Sequence, residues 1–274
     1  MIMTSTNKNN SMFTSFAAGA AAGLSVDLSL FPLDTIKTRL QSKRGFKNAG
    51  GFKGVYKGIG PVALGSAPCA AIFFLTYDGM NKHLHPLNDN YWIPLLHMTS
   101  ASLAETAVNT IKVPIEIVKQ RRQTSHSMPL TIIRKALEQE GVLGLYRGFF
   151  STVLRDIPFS VIQFPLWEFL KTYWHTNMNK DVTPTVSAMC GAISGAVAGG
   201  LTTPLDVAKT RIMLAEPSLG NKLKMMPILL EIYRTEGRKG LFAGFLPRIA
   251  MIFLGGGIFF GSYEFSKACI SEYI

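Results

Sequence analysis

The sequence predicts an all-α membrane protein with six spanning helices arranged as three two-helix repeats. Three observations carry the prediction. Only 16% of the 274 residues are charged while 47% are hydrophobic, and the mean hydropathy is +0.22; a soluble domain carries about a quarter charged residues. Uncharged runs such as Gly58 to Tyr77 and Val182 to Leu205 are long enough to cross a hydrocarbon core of roughly 30 Å. One motif also occurs three times: Pro32-Leu33-Asp34-Thr35-Ile36-Lys37-Thr38-Arg39, Pro114-Ile115-Glu116-Ile117-Val118-Lys119-Gln120-Arg121 and Pro204-Leu205-Asp206-Val207-Ala208-Lys209-Thr210-Arg211. Copies about 80–90 residues apart mark an internal triplication. They divide the chain into a polar tail (1–11) and repeats at 12–88, 89–179 and 180–274.

Helix 1 is expected from Met12 to Gln41, with a kink at Pro32, which removes a backbone hydrogen bond. Its Gly19-Ala20-Ala21-Ala22-Gly23 face lets another helix approach closely. Gly45 to Gly51 reads as a basic turn. Helix 2 follows from Gly58 to Tyr77, then a polar connector, His85 to Asn90. Helix 3 spans Tyr91 to Gln123 and carries Glu105; Pro129 to Gln139 reads as a short surface helix. Helix 4 runs from Phe149 to Tyr173 with Arg155 and Asp156 inside it. Helix 5 includes Val182 to Leu205, with close-packing glycines at 191, 195 and 199. A second surface helix, Leu223 to Thr235, precedes helix 6, Leu246 to Ile270. Six spans put both termini on one side.

Within each motif the acid and the Lys lie three residues apart, on one helical face. One such pair would be an ordinary surface pair. Three copies, each after an apolar run and a Pro, suggest a ring in which each acid meets the Lys of the next copy. A second signature closes each repeat: Gly51-Phe52-Lys53-Gly54-Val55-Tyr56-Lys57-Gly58, Glu140-Gly141 to Tyr146-Arg147-Gly148, and Glu236-Gly237 to Phe242-Ala243-Gly244. The first copy has Gly50 where the others have Glu140 and Glu236. A third lies on the even helices: Tyr77-Asp78 with Asn81, Trp167-Glu168 with Lys171, and Tyr263-Glu264 with Lys267. Charged rings at both ends of a bundle suggest two gates that open in turn.

The net charge of +11 admits nucleic acid, anionic lipid or an anionic solute as partner. The basic residues follow the apolar runs, as positive loops on one side of a membrane do, and nucleic-acid motifs are lacking. Three dispersed cysteines, Cys69, Cys190 and Cys269, argue against a disulfide framework or a metal site. No nucleophile–base pair, metal-ligand set or phosphate-binding glycine loop appears, so neither an enzyme nor a cofactor is expected. The first eleven residues lack a cleavable signal pattern. A non-transporting scaffold or a soluble helical-repeat module are the competing classes; the charged spans and the uncharged runs argue against them.

Together these signatures resemble the mitochondrial carrier family, over about Met12 to Lys267. The resemblance implies a pseudo-threefold bundle of six tilted helices around a cavity, short matrix helices, the inner mitochondrial membrane, alternating access, a monomer, and contact with membrane lipids such as cardiolipin. It implies a matrix gate pairing Asp34 with Lys119, Glu116 with Lys209 and Asp206 with Lys37. Gln41 and Gln123 would brace it; Met213, in the third place, would not. The cytoplasmic gate would pair Asp78 with Lys171 and Glu168 with Lys267, leaving Glu264 opposite the neutral Asn81.

Ionisable residues inside spans are costly and point to function. Asp27, Glu105, Arg155 and Asp156 are the candidates, with Asn109 one turn beyond Glu105. The family's contact points would fall at Gly65, Arg155 and Met251, or Ile252 if Gly255-Gly256-Gly257 shifts the register. Three acids and one base suit a cationic solute with one carboxylate, and small contacts leave room for a flat group. The stretches Ser25-Val26-Asp27-Leu28, Gly65-Ser66-Ala67-Pro68, Arg155 to Ser160, Gln163 to Glu168 and Leu254-Gly255-Gly256 resemble the branch of the family that carries S-adenosylmethionine. That implies import of S-adenosylmethionine in exchange for S-adenosylhomocysteine. Carriage of another cationic amino acid or nucleotide-like metabolite is the alternative.

Overall fold

The computed structural model describes residues 23, 25–84, 93–125, 127–178, 181–215, 224–255 and 258. Outside them lie the tail, most of the Gly19–Gly23 face, the connector at 85–90, Glu264, Lys267 and the end of helix 6; the side chains of Asp78 and Asn81 also fall outside. The described chain forms α1 (25–41), α2 (Ile59–Leu84), α3 (Ile93–Thr124), α4 (Pro129–Glu140), α5 (Phe149–Met178), α6 (Pro184–Leu201), α7 (Thr203–Leu214), α8 (Met225–Leu241) and α9 (Phe245–Gly255). A 3₁₀ turn, Val142–Tyr146, links α4 to α5.

Helix α2 packs along α3, and α5 along α6. Gly195 and Gly199 of α6 lie against Ile252 of α9. A Cβ on Gly199 would sit 2.5 Å from Ile252 Cδ1, so any larger residue would have to displace that side chain. Trp167 of α5 donates from Nε1 to the Ser187 carbonyl at 3.0 Å, tying α5 to α6. Helix α6 starts where Thr183 accepts the Val186 N–H and Pro184 occupies the first turn, a position that needs no donor.

Pro32 and Pro114 lie within continuous helices, whereas the third copy breaks. Thr202 (φ −89°, ψ 6°) caps α6, and Pro204 sits in the first turn of α7. The single span expected through Val182 to Leu205 is therefore two helices. Surface helices form in the second and third repeats. Helix α8 seats Met225, Ile228 and Ile232 against Val207, Ala208 and Ile212 of α7. In the first repeat, residues 43–58 form turns, because Gly45, Gly50, Gly51, Gly54 and Gly58 all adopt positive φ and interrupt a helix.

Among the described residues one helix, Pro184–Leu201, is long and apolar enough to cross a membrane on composition alone. Ile59–Phe73 and Phe245–Gly255 are apolar but shorter. Helices α3 and α5 fall short because Glu105, Lys112, Glu116, Arg155 and Asp156 interrupt them. The outer surface of α5 is nonetheless apolar. Phe150, Leu154, Ile157, Val161 and Phe164 recur every three or four residues along α5 and all are exposed. Met189, Ile193, Val197 and Leu201 do the same on α6. Apolar stripes outside with charges within suit a lipid surround better than water.

Candidate functional site: an ion-pair ring at the floor of a charged cavity

The three motifs meet at one end of the bundle. Lys119 Nζ lies 2.7 Å from Asp34 Oδ2, and Lys37 Nζ lies 2.7 Å from Asp206 Oδ2. Lys209 Nζ lies 2.9 Å from both oxygens of Glu116. Each acid thus bonds the Lys of the next motif, and the third closes onto the first. The Lys209 side chain is 3% exposed, so either partner alone would be a buried unpaired charge.

Glutamines brace the ring. Gln123 Nε2 donates to Asp34 Oδ2 at 2.9 Å and to Thr35 Oγ1 at 3.1 Å. Gln41 Nε2 donates to Asp206 Oδ2 at 2.8 Å while its Oε1 accepts from Thr210 Oγ1 at 2.6 Å. Met213, at the equivalent third position, is buried against Val113 and Ile117. The third pair has a brace of another kind: Gln120 Nε2 donates to Glu116 Oε1 at 3.0 Å.

The arginines that end the motifs form a second ring. Arg39 Nε donates to the Gln123 carbonyl, Arg121 Nε to the Met213 carbonyl and Arg211 Nε to the Gln41 carbonyl, at 2.9, 3.2 and 3.2 Å. Each guanidinium also grips the loop of its own repeat. Arg211 forks onto Glu236 with two 2.6 Å bonds, and that hydrogen bonding holds the Glu236 carboxyl below its ordinary range. Arg121 lies 3.8 Å from Glu140, which Arg147 also bonds. In the first repeat Gly50 takes the acid's place, and Arg39 donates instead to the carbonyls of Gly51 and Lys53 at 2.7 and 2.8 Å.

Above the ring lies a cavity of about 420 Å³ lined by residues of α1, α2 and α3, among them Asp27, Gly65, Cys69, Glu105, Lys112, Glu116 and Lys119. The volume is in the range of small-molecule sites. Three sequence candidates, Asp27, Gly65 and Glu105, share it. Asp27 has no ion-pair or hydrogen-bond partner among the described residues. Glu105 bonds Lys112, with Oε1 and Nζ 2.7 Å apart. The space over Gly65 holds Ile115, whose Cδ1 would lie 2.3 Å from an added Cβ. Gly65 therefore lets α2 approach α3.

Arg155, Asp156 and Asn109 form a second cluster, within electrostatic reach of Glu105, Lys112 and Glu116. Arg155 Nη2 lies 2.6 Å from Asp156 Oδ1, and Asn109 Nδ2 lies 3.5 Å from Asp156 Oδ2. Met251 is half-buried on α9, while its neighbour Ile252 faces α6. At the other end, Lys171 bonds Glu168 of its own helix at 2.7 Å and lies 3.7 Å from the Trp167 ring centroid. The other members of that expected gate (Asp78, Asn81, Glu264 and Lys267) lie outside the described side chains.

The sequence matches the family described as mitochondrial carrier protein at residues 8–88, 93–178 and 180–273. The chain belongs to the mitochondrial carrier family. It is 51% identical over 263 residues to the mouse mitochondrial S-adenosylmethionine carrier protein, covering 94% of this chain and 95% of that protein. A Drosophila melanogaster S-adenosylmethionine mitochondrial carrier protein homolog is 51% identical over 257 residues, 92% of this chain and 91% of that one. A putative mitochondrial carrier protein of Saccharomyces cerevisiae is 42% identical over 279 residues, 96% of each. These relatives are carriers and not enzymes, and the protein is a mitochondrial solute transporter.

Three residues of this carrier's site have no forecast in the sequence reading. Gln120 and Lys112 are two; Arg248 is the third. Arg248, 3% exposed, lies 3.0 Å from Asp206 Oδ2 and donates to Thr202 Oγ1 at 2.9 Å. It thereby ties the break between α6 and α7 to the ring. A lone basic residue inside the apolar run of helix 6 is the signal that could have found it.

Proposed function

We propose that this carrier imports S-adenosylmethionine into the mitochondrial matrix in exchange for S-adenosylhomocysteine, as a multi-pass protein of the inner membrane. The observation that carries the reading is the cavity: among the described residues, the charged lining side chain without an ion-pair or hydrogen-bond partner is an acid, Asp27, suited to a solute whose sulfonium gives it a net positive charge. The names of the close relatives support the same substrate. Asp27, Gly65, Glu105, Asn109, Arg155, Asp156 and Met251 are the proposed substrate contacts, and 12–88, 89–179 and 180–274 the repeat units.

The ion-pair ring with Gln41 and Gln123 is the proposed matrix gate, closed here. Asp78, Glu168, Lys171, Glu264 and Lys267 form the proposed cytoplasmic gate. Lys171 bonding its own helix, rather than bridging to another, suits a gate that is open on that side. The carrier is proposed to act as a monomer, with cardiolipin among its lipid contacts.

Liposomes carrying the purified protein should take up labelled S-adenosylmethionine fast when preloaded with S-adenosylhomocysteine and slowly when empty. Asp27→Asn and Arg155→Ala should each abolish uptake while thermal unfolding shows an intact fold. No uptake by folded wild-type protein would overturn the substrate and leave another cationic amino acid or nucleotide-like metabolite as the reading to pursue.

A further inference from the structure

The cavity contains five ionisable side chains besides Cys69, and four are already paired. Glu116 bonds Lys209 of the ring, and Lys119 bonds Asp34. Those two pairs are closed off, with Lys209 3% exposed and Lys119 19%. The Glu105–Lys112 pair is different. Its side chains are 37% and 43% exposed, and both face the open cavity. Seven residues separate them, so their Cα atoms stand two helical turns, or about 10.5 Å, apart. They meet at 2.7 Å only because both side chains extend along the wall towards each other. This pair is therefore more readily opened than the two ring pairs, whose side chains are more deeply buried.

We infer that Glu105 and Lys112 together form the receptor for the α-amino-acid end of the substrate, and pair with each other only while the cavity is empty. The ammonium of the incoming solute takes the place of Lys112 at Glu105, and the carboxylate takes the place of Glu105 at Lys112. One internal pair is exchanged for two, so no charge is left uncovered. Asp27 then answers the remaining positive charge, the sulfonium.

Lys112 offers the carboxylate a second cation beside Arg155. Arg155 is already bonded to Asp156 at 2.6 Å, with its field shared among Asp206, Glu116 and Glu105. It is also absent from the lining of this cavity, which Lys112 joins. Lys112 is thus a specificity-determining residue: it selects solutes that carry a carboxylate beside their amine. This inference rests on the proposed substrate.

The test uses the full-length carrier in liposomes with three labelled probes: S-adenosylmethionine, its decarboxylated analogue, and 5′-methylthioadenosine, which lacks the amino-acid end. Wild-type protein should prefer S-adenosylmethionine to the decarboxylated compound. Lys112→Met should raise the KM for S-adenosylmethionine about tenfold or more, the loss expected for a hydrogen bond between charged groups. It should leave the decarboxylated compound carried as well as before or better, and Lys112→Arg should restore the preference. Glu105→Gln should weaken both amine-bearing probes and leave 5′-methylthioadenosine unchanged. Discrimination that persists in Lys112→Met, or an equal loss of all three probes in a folded Lys112→Met and Glu105→Gln, overturns the inference alone. A folded wild-type protein that carries none of the probes overturns the proposed substrate and the inference together.

Discussion

Asp206 shows how much of the site rests on single side chains. One carboxylate oxygen receives Lys37, Arg248 and Gln41, and the residue is 4% exposed. Arg248→Met should remove a buried cation and uncouple Thr202 while Lys37 still pairs Asp206, at a cost of about 1.5–3 kcal/mol. Thermal unfolding in detergent should then show a large fall in Tm, which Arg248→Lys restores only in part, because an ammonium cannot fork between Asp206 and Thr202. An unchanged Tm in Arg248→Met would refute the assignment. The acids and lysines of the ring were legible in the sequence because each recurs at the same place in three motifs. Arg248 was not, because four residues after the closing glycine the other repeats carry Val62 and Thr152. Gln120 was missed for the same reason: its counterparts are Thr38 and Thr210. Repeat logic reveals what the copies share and passes over what they do not.

At the level of elements, the closing glycines decide how tightly the repeats meet. Gly58 would place a Cβ 3.1 Å from the Lys119 carbonyl, and Gly244 would place one 3.2 Å from the Lys37 carbonyl. Both also adopt positive φ, at 98° and 74°. Gly237 shares the conformation, at φ 65°, but has nothing within 4 Å. Gly237→Ala should therefore cost backbone strain alone, about 1–3 kcal/mol, at φ 65° and ψ −155°. Gly244→Ala should add the contact with the Lys37 carbonyl to such strain, lower Tm further, and slow transport as well, since it presses on a ring lysine. Equal losses of Tm in the two variants would show that the contact with Lys37 is immaterial. Helix existence was readable from uncharged runs and glycine punctuation. The break at Thr202 was not, because Pro32 and Pro114 stand in the same motif inside unbroken helices. What differs is a helix cap at Thr202 held by Arg248 from a distant part of the chain.

For the whole molecule, the ring is a set of three links with each link shared between two repeats. Asp34→Lys alone should abolish exchange, since it sets like charges against each other at 2.7 Å spacing. Adding Lys119→Asp should restore a measurable part of it by rebuilding the pair in reverse. Uptake in liposomes checks both, and a double variant as dead as the single one would mean that orientation as well as pairing is required. Substrate selection was only half legible at this scale. Composition and position showed that the cavity would be charged, while which charges stay free depended on pairings such as Glu105–Lys112 that no linear reading contains. The cyclic sharing of links also has a genetic consequence. A lesion in a ring acid should find its second-site suppressors in the next repeat, a lesion in a ring lysine in the preceding one, and either seldom in the repeat where it arose.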